Sequence, residues 1–476
     1  MGRAKMNAVK KLDKGALHDK HHLHMVGIGG SGMSALAKIL VEAGYEVSGS
    51  DLSASIATQK LAELGVRVHR GHEAEHVHGA DLLIISSAIP PDNPERLAAV
   101  ASGIRVLKRA EVLGELTRQR QSILVAGTHG KTTTTSMIAL VLKEGGLEPT
   151  FVVGGEVANL GTSAELGGGN LLVAEADEFD GTFLKLTPHV AVITNVEADH
   201  LDFFSNIDAI AEAFGEFIGL VPVDGHLVVC WDDLRLRKLA ARCAGHVASY
   251  GLGQDANWRA LRIRRNDRGG NDFVAAKDGK SVGRFSLQVP GQHNVANALA
   301  AIATADIVGL DPHETGKALA NFKGALRRFE LKGIVGGVSV YDDYAHHPTE
   351  ITATLRAARE RHSGRIWAVF QPHTYNRTKH FLREFAEVLR LADRIIVTDV
   401  YMPPGREVDT LGVSSRDVVS AMNCTDAQYI GRLEDTVSYL CQALQPGDML
   451  MTLGAGNIYT VGLEVLKQLA CRQEEV

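Results

Sequence analysis

The sequence predicts an α/β protein of about three domains, built on mostly parallel sheets with helices packed against them. Short apolar runs alternate with amphipathic stretches of helical length through most of the chain, and the order strand, helix, strand belongs to parallel sheets. The 476 residues correspond to about three domains at roughly 150 residues each. The alternation breaks twice, at the polar stretch 115–121 and over Gly324 to Glu330, which places domains at 1–118, 119–325 and 326–476.

In chain order, His24-Met25-Val26 reads as a strand, Ser34 to Glu42 as a helix and Glu46 to Ser50 as the next strand. Past the first break come the strand Ser122 to Ala126, the helix Thr132 to Lys143 and the apolar strand Asn170 to Ala174. The segment Trp258 to Leu287 differs: period-two pieces such as Leu261-Arg262-Ile263-Arg264 around Asp267-Arg268-Gly269-Gly270 predict antiparallel β. Its arginines form a solvated strand face or, alternatively, a basic patch. After the second break, the strand Val338 to Tyr341 leads into a turn and a helix started by Pro348. The strand Ile366 to Phe370 then precedes a helix over Arg377 to Leu389.

Charged residues make up 22% and apolar residues 45%, and 50 basic against 56 acidic side chains leave a net charge of −6. That balance excludes disorder and makes nucleic acid a poor partner. No apolar run approaches the roughly 18 residues of a membrane helix. Five scattered cysteines (Cys230, Cys243, Cys424, Cys441, Cys471) point to a reducing, cytoplasmic compartment. The leader carries Lys5, Lys10, Lys11, Lys14 and Lys20 without the apolar stretch of a secretory signal. His18, His21, His22 and His24 read as a solvated leader entering the first strand, in preference to a metal cluster.

Two glycine loops carry the chemistry. Gly27-Ile28-Gly29-Gly30-Ser31-Gly32 follows a strand and opens a helix, and Asp51 lies nineteen residues after Gly32. That context fits a diphosphate on backbone N–H groups and a carboxylate on a ribose; the alternative is a tight turn with no ligand. Gly127-Thr128-His129-Gly130-Lys131-Thr132-Thr133 follows another strand, with Val125 where the full triphosphate-loop pattern has glycine. The Gly-Lys-Thr end is intact, so Lys131 reaches the β- and γ-phosphates and Thr132 holds Mg²⁺. Two such loops predict an enzyme that brings ATP to a nucleotide-linked substrate.

Further blocks follow in the chain: Glu175-Ala176-Asp177-Glu178-Phe179-Asp180, Thr194 to Asp202, Gly291 to Ala298, Arg327-Arg328-Phe329-Glu330 and Asp342 to Glu350. Together with the two loops they resemble the Mur ligases across essentially the whole chain. The resemblance implies a Rossmann-like N-terminal domain for a UDP-sugar, a central P-loop ATPase domain and a C-terminal Rossmann-like α/β domain for an amino acid. It implies ATP-dependent joining of L-alanine to the lactoyl carboxylate of UDP-N-acetylmuramate through an acyl phosphate, with Mg²⁺, in peptidoglycan biosynthesis. Small molecules are then the partners, and the chain is a monomer or a homodimer.

Carried residue by residue, the resemblance implies a UDP-sugar site of Gly29, Gly30, Ser31, Gly32, Met33, Asp51 and Ser86. ATP falls to Gly127, Thr128, His129, Gly130, Lys131, Thr132, Thr133, His293, Asn294 and Arg328, and the metal to Thr132, Glu175 and His200. The amino acid falls to Tyr344, His346 and Arg377, and catalysis to Lys131, Glu175, His200 and His346. Mg²⁺ prefers oxygen, so on chemistry alone His200 is equally a hydrogen-bonded structural residue. Asp177, Glu178 and Asp180 are secondary candidates near sugar or metal, or a solvated loop. Asn297 is a cap or a core polar group, or belongs with Asn294 on one helix face. Relatives that add later amino acids carry a lysine about fourteen residues after the histidine; here that position is Phe214, and no lysine comes before Lys238. The block at Asp399-Val400-Tyr401 departs at Pro403-Pro404 and Arg406, and Thr374 stands where some members have arginine. The alternatives are a ligase that recycles a preformed tripeptide onto the same sugar nucleotide, an NAD-dependent oxidoreductase, which leaves Lys131 and Glu175 idle, and a non-enzymatic nucleotide-binding regulator.

Overall fold

A computed structural model describes residues 15–201, 203–403 and 409–474. Three sheets organise the chain. The first holds β1 (His22–Val26), β2 (Glu46–Asp51), β3 (Arg67–Arg70), β4 (Leu82–Ile85) and β5 (Arg105–Lys108), all parallel in the order β3-β2-β1-β4-β5. β1 and β4 are buried throughout, as befits parallel strands covered on both faces. Strand order reverses between them, so the crevice beyond their carboxyl ends is the ligand position of such a sheet.

The second sheet holds β6 (Gln121–Ala126), β7 (Thr150–Val157), β8 (Thr162–Glu165), β9 (Leu171–Glu175), β10 (Val190–Ile193), β11 (His226–Cys230), β12 (His246–Gly251), β13 (Trp258–Arg265), β14 (Asn271–Lys277) and β15 (Lys280–Ser286). Their order is β15-β14-β13-β12-β11-β10-β6-β9-β7-β8. The segment expected to be antiparallel forms β13 to β15, but β13 pairs parallel with β12, so these strands extend the central sheet. The third sheet holds β16 (Glu330–Val335), β17 (Val338–Asp343), β18 (Ile366–Phe370), β19 (Arg394–Val397), β20 (Ala427–Tyr429) and β21 (Met449–Leu453), in the order β16-β17-β21-β18-β19-β20. Only β16 and β17 pair antiparallel there.

Glycines start the helices that matter. The first begins at Ser31, not Ser34, so the last glycine of its loop already lies in the first turn. Lys131–Glu144 follows Gly130 at φ 84°, and Gln292–Ile307 follows Gly291 at φ 88°, a left-handed region open to glycine. The single helix expected over Arg377 to Leu389 is two, Tyr375–His380 and Leu382–Val388. Phe381 breaks the run at φ −105°, ψ 23° and turns its ring onto His347, 4.6 Å between centroids.

The leader reading also needs correction. His22 and His24 lie inside β1, both buried, and share the Ser48 hydroxyl of β2 at 2.7 Å each. One nitrogen of each ring is thus met by a neighbouring strand, while His22 Nδ1 meets the Gly79 carbonyl and His24 Nε2 faces Glu95 at 3.5 Å, which no local pattern reveals. Lys5, Lys10, Lys11 and Lys14, like Pro404 and Arg406, lie outside the described residues. Among the described residues no helix is long and apolar enough to cross a membrane. The first two sheets share one core: the helix Ser31–Glu42 packs on β7 and β8. Lys38 donates to the Thr162 hydroxyl (2.8 Å), and Glu42 accepts the Leu166 N–H (2.7 Å).

Candidate active site

The first glycine loop occupies the crevice between β1 and β4. Gly27 takes φ 77°, and a Cβ there would stand 3.2 Å from the Ser86 Cβ at the end of β4. Asp51 accepts the Gly29 N–H at 2.9 Å, so its carboxylate braces the loop as well as facing the crevice. The Ser31–Glu42 helix aims its unpaired first-turn N–H groups, those of Ser31, Gly32 and Met33, at the same space. The Met33 side chain is buried and offers a ligand only its backbone. Arg109, which sequence reasoning missed, lays its guanidinium over the loop, 3.0 Å from where a Gly32 Cβ would be.

The second loop lies between β6 and its helix, flanked by the ends of β9 and β10. Gly127 takes φ 135°, and a Cβ there would come within 2.0 Å of the Thr194 hydroxyl oxygen. His129 donates its N–H to Asn195 Oδ1 (2.9 Å), and its carbonyl accepts from the Thr194 hydroxyl (2.5 Å) and Asn195 Nδ2 (3.0 Å). Lys131 Nζ donates to the Gly127 carbonyl (2.6 Å) and to Glu178 Oε2 (2.8 Å). Burial opposes the Lys131 charge, but Glu178, Asp177 and Glu175 outweigh it and raise its pKa. Burial pushes the Glu178 carboxyl up to about 7 even against Lys131.

Glu175 ends β9, accepts the Gly154 N–H at 2.6 Å and meets the Thr132 hydroxyl; burial still leaves its pKa raised. The residues proposed for one metal thus fall into two adjacent groups, Thr132 with Glu175, and His200 with Asp177 and Glu178. The donor atoms of the latter three all lie within 4.8 Å of one another. Burial lowers the pKa of His200, keeping its imidazole neutral near pH 7. Asp180 points elsewhere and pairs with Lys108 at 3.2 Å.

Two cavities lie along the segment Asn195 to Asp199, which gives Asn195 and Glu197 to one and Asp199 to the other. One, of about 210 Å³, is lined by His129, Gly130, Asn195, His293, Asn294, Asn297, Arg328 and Asp343, among others. Asn294 donates to the Pro290 carbonyl (2.7 Å) and accepts from Asn297 (3.2 Å). The other, of about 260 Å³, is lined by Asp177, Asp199, His200, His373, Thr374, Arg377 and their neighbours. Of the residues expected around an amino acid, Arg377 lines it directly. Tyr344 instead faces Arg327 and Arg328, 5.0 and 5.1 Å from its ring centre. His346 stands behind His373, 5.8 Å between rings.

The third sheet closes over both cavities. Arg377 pairs with Asp199 at 2.5 Å, Thr349 donates to Glu197 at 2.6 Å, and His347 Nε2 meets the Ala198 carbonyl at 3.2 Å. His129 lies between Glu197 (3.3 Å) and Glu350 (3.2 Å). Burial opposes the His129 charge, but these two carboxylates lift its pKa to about 9. Burial likewise pushes Asp343, which accepts the N–H groups of Phe329 and Ala345, up to about 6.

Models of the Mur ligase family match this chain in all three parts: the catalytic domain of the family over residues 22–121, the middle domain over 125–305 and the glutamate ligase domain over 327–456. The chain belongs to the Mur ligase family. A UDP-N-acetylmuramate–L-alanine ligase of Pelotomaculum thermopropionicum is 45% identical over 461 residues, covering 96% of this Mur ligase and 99% of the relative. The crystal structure of the UDP-N-acetylmuramate–alanine ligase of Thermotoga maritima superposes with a TM-score of 0.81 at 29% identity, covering 95% and 99%. That of a murein peptide ligase of Psychrobacter arcticus gives 0.73 at 26%, covering 94% and 98%. Within this Mur ligase, Asp199, Asp343 and Glu350 lie in motif blocks from which the sequence assigns them no role. The one available signal was the Asp342-Asp343 pair closing an apolar strand, since paired acids at a buried strand end need partners.

Proposed function

We propose that this Mur ligase joins L-alanine to the lactoyl carboxylate of UDP-N-acetylmuramate at the expense of ATP, with residues 1–118 holding the UDP-sugar, 119–325 the ATP and 326–476 the amino acid. One observation carries the reading: a cavity lined by the second glycine loop with His293, Asn294 and Arg328, and a small cavity holding Arg377, lie to either side of the segment Asn195 to Asp199. The 45% identity to an alanine ligase over 96% of this chain favours alanine over a tripeptide. The weaker likeness to the murein peptide ligase agrees. An oxidoreductase has no use for Lys131, Glu175 and Glu178.

A carboxylate is a poor acyl donor, and phosphorylation turns its oxygen into a leaving group. Lys131, exchanging Glu178 for phosphate, neutralises charge on the transferring group; Arg328 and His129 add positive charge from either side. Gly130 to Thr133 present backbone N–H groups to the triphosphate, while those of Thr128 and His129 go to Asn195 and fix the loop, and Asn294 with His293 meets the adenine. The buried carboxylates Glu175 and Glu178, with the Thr132 hydroxyl and Asp177 beside them, form an oxygen-rich pocket, which fits Mg²⁺. Thr132 and Glu175 would hold it, with His200 and the Asp177–Glu178 pair alongside. When bound, Mg²⁺ supplies Lewis-acid charge neutralisation at the phosphates. Arg377 binds the alanine carboxylate. His346, with Nδ1 3.0 Å from the Tyr344 carbonyl, keeps Nε2 to accept the proton of the alanine ammonium, for which the amine must reach past His373, the ring between it and the cavity.

Phosphate release from ATP and Mg²⁺ with UDP-N-acetylmuramate tests this, with L-alanine and stem tripeptide added in parallel. Release depends on alanine and falls at least about 10²–10³-fold in Lys131→Ala. Release with tripeptide alone would move the protein to the recycling reaction, and silence with both would overturn the ligase reading.

A further inference from the structure

Glu350 sits in the first turn of the helix Pro348–Arg361, its side chain 12% exposed. Oε2 accepts the N–H groups of His346 (3.1 Å) and His347 (3.4 Å) and lies 3.2 Å from His346 Nδ1. Oε1 lies 3.2 Å from His129 Nδ1 and 3.7 Å from Arg328 Nη1. Three basic side chains from three separate segments converge on one carboxylate. They come from the phosphate loop, the stretch before β16 and the turn after β17. A helix cap alone does not call for this charge: the two N–H groups are equally served by a neutral amide oxygen.

We propose that Glu350 is a positioning residue, the common counter-ion that holds His129, Arg328 and His346 in one array, so that the ATP end and the amine end of the reaction are aligned by the same group. The inference rests on the ligase reading above. His346 can present Nε2 to the amine only while its Nδ1 side is held, and Glu350 and the Tyr344 carbonyl hold it. Arg328 is set over the nucleotide cavity by Glu350 and by the Tyr344 ring. His129 is faced by Glu350 and Glu197, and by the His347 ring at 4.5 Å. With both carboxylates ionised it keeps its charge to about pH 9. Removing one of them lowers that titration by about one to three pH units, so the phosphate loop loses a positive charge within the working range.

The variant Glu350→Gln keeps the cap and removes the charge. Histidine-labelled NMR, with His129→Gln assigning the signal, follows the titration of His129; steady-state kinetics follow each substrate. The His129 titration is expected to move down by about one to three pH units, taking the alkaline limb of kcat with it. kcat falls by about 10²-fold and KM rises for ATP and alanine. KM for the UDP-sugar, bound at the far crevice, stays unchanged. An unmoved His129 titration overturns the proposal whatever reaction the enzyme performs. So does a uniform rise in all three KM values with an unchanged pH profile, since that is the signature of a structural role. The NMR result needs no turnover, so a wild-type enzyme inactive with alanine would count against the ligase reading while leaving the Glu350 contact separately decided.

Discussion

Gly127 shows how far a single residue type can be read. Its φ of 135° and the Thr194 hydroxyl oxygen 2.0 Å from a would-be Cβ leave room for glycine alone. Gly127→Ala is expected to cost about 1–3 kcal/mol, lowering the melting temperature, and to abolish ATP-dependent stabilisation in the same thermal scan. The loop was legible because a glycine-rich turn after a strand is a local feature. Residues whose meaning depends on a distant partner were not. Glu95 is fully buried beneath the first sheet, bonded to the Ser50 hydroxyl (2.6 Å) and to His76 (2.7 Å) and 3.5 Å from His24. Burial raises its pKa, but these three partners outweigh it and hold the carboxyl at about 2, against 4.5 when free. A depressed carboxyl stabilises the fold above its unfolded value and loses that contribution as pH falls through the folded one. Glu95 therefore contributes about 3 kcal/mol near pH 7, fading between about pH 4.5 and 2. Denaturant midpoints across that window should slope in the wild type and flatten in Glu95→Gln. Nothing local to Asn93-Pro94-Glu95 announces this role, and the same blindness made His22 and His24 look like leader.

Among elements, strands and helices were legible wherever one period dominates, as in β6 and the helix after it. The break at Phe381 and the attachment of β13 to β12 were not, because tertiary packing decides both. The absent lysine has its reason at this scale. Phe214 lies on the helix Ile207–Gly219 with no exposed surface, edge-on to Phe183 at 5.3 Å, while Phe217 stacks on Phe183 at 4.9 Å. Phe183 belongs to the short 3₁₀ segment Phe179–Lys185 that follows Asp177 and Glu178. The aromatic trio therefore anchors the carboxylate loop from the very position at which this sequence has no lysine. Phe217→Ala is expected to cost about 3–5 kcal/mol in chemical denaturation. It should also weaken Mg²⁺-dependent ATP binding more than Mg²⁺-free nucleotide binding, because the loop it loosens carries the carboxylates and not the adenine contacts.

At the scale of the whole molecule, three sheets followed from chain length and two breaks, but their closure did not. The closing contacts join residues far apart in sequence, and an ion pair between domains leaves no periodicity to read. Arg377 and Asp199, 10% and 9% exposed, are the least solvated of these pairs. Burial alone would raise the Asp199 pKa, but Arg377, His200 and His346 together hold its carboxyl far below the usual range. Removing the guanidinium leaves that carboxylate buried and uncompensated, a change worth about 3–5 kcal/mol and avoided most easily by opening the interface to water. Arg377→Ala should therefore favour an open ligand-free form, seen as a larger radius of gyration in X-ray scattering. Asp199→Asn, which removes the buried charge instead, should open the protein less. Equal radii for wild type and Arg377→Ala would mean that His129, Thr349 and His347 suffice to hold the third sheet in place. If the radius grows as expected, and Arg377 binds the alanine carboxylate as proposed above, it has two partners in turn, Asp199 before alanine arrives and that carboxylate afterwards. A pocket that closes on its own aspartate then exchanges one carboxylate for another, so substrate binding replaces the closing contact without undoing it.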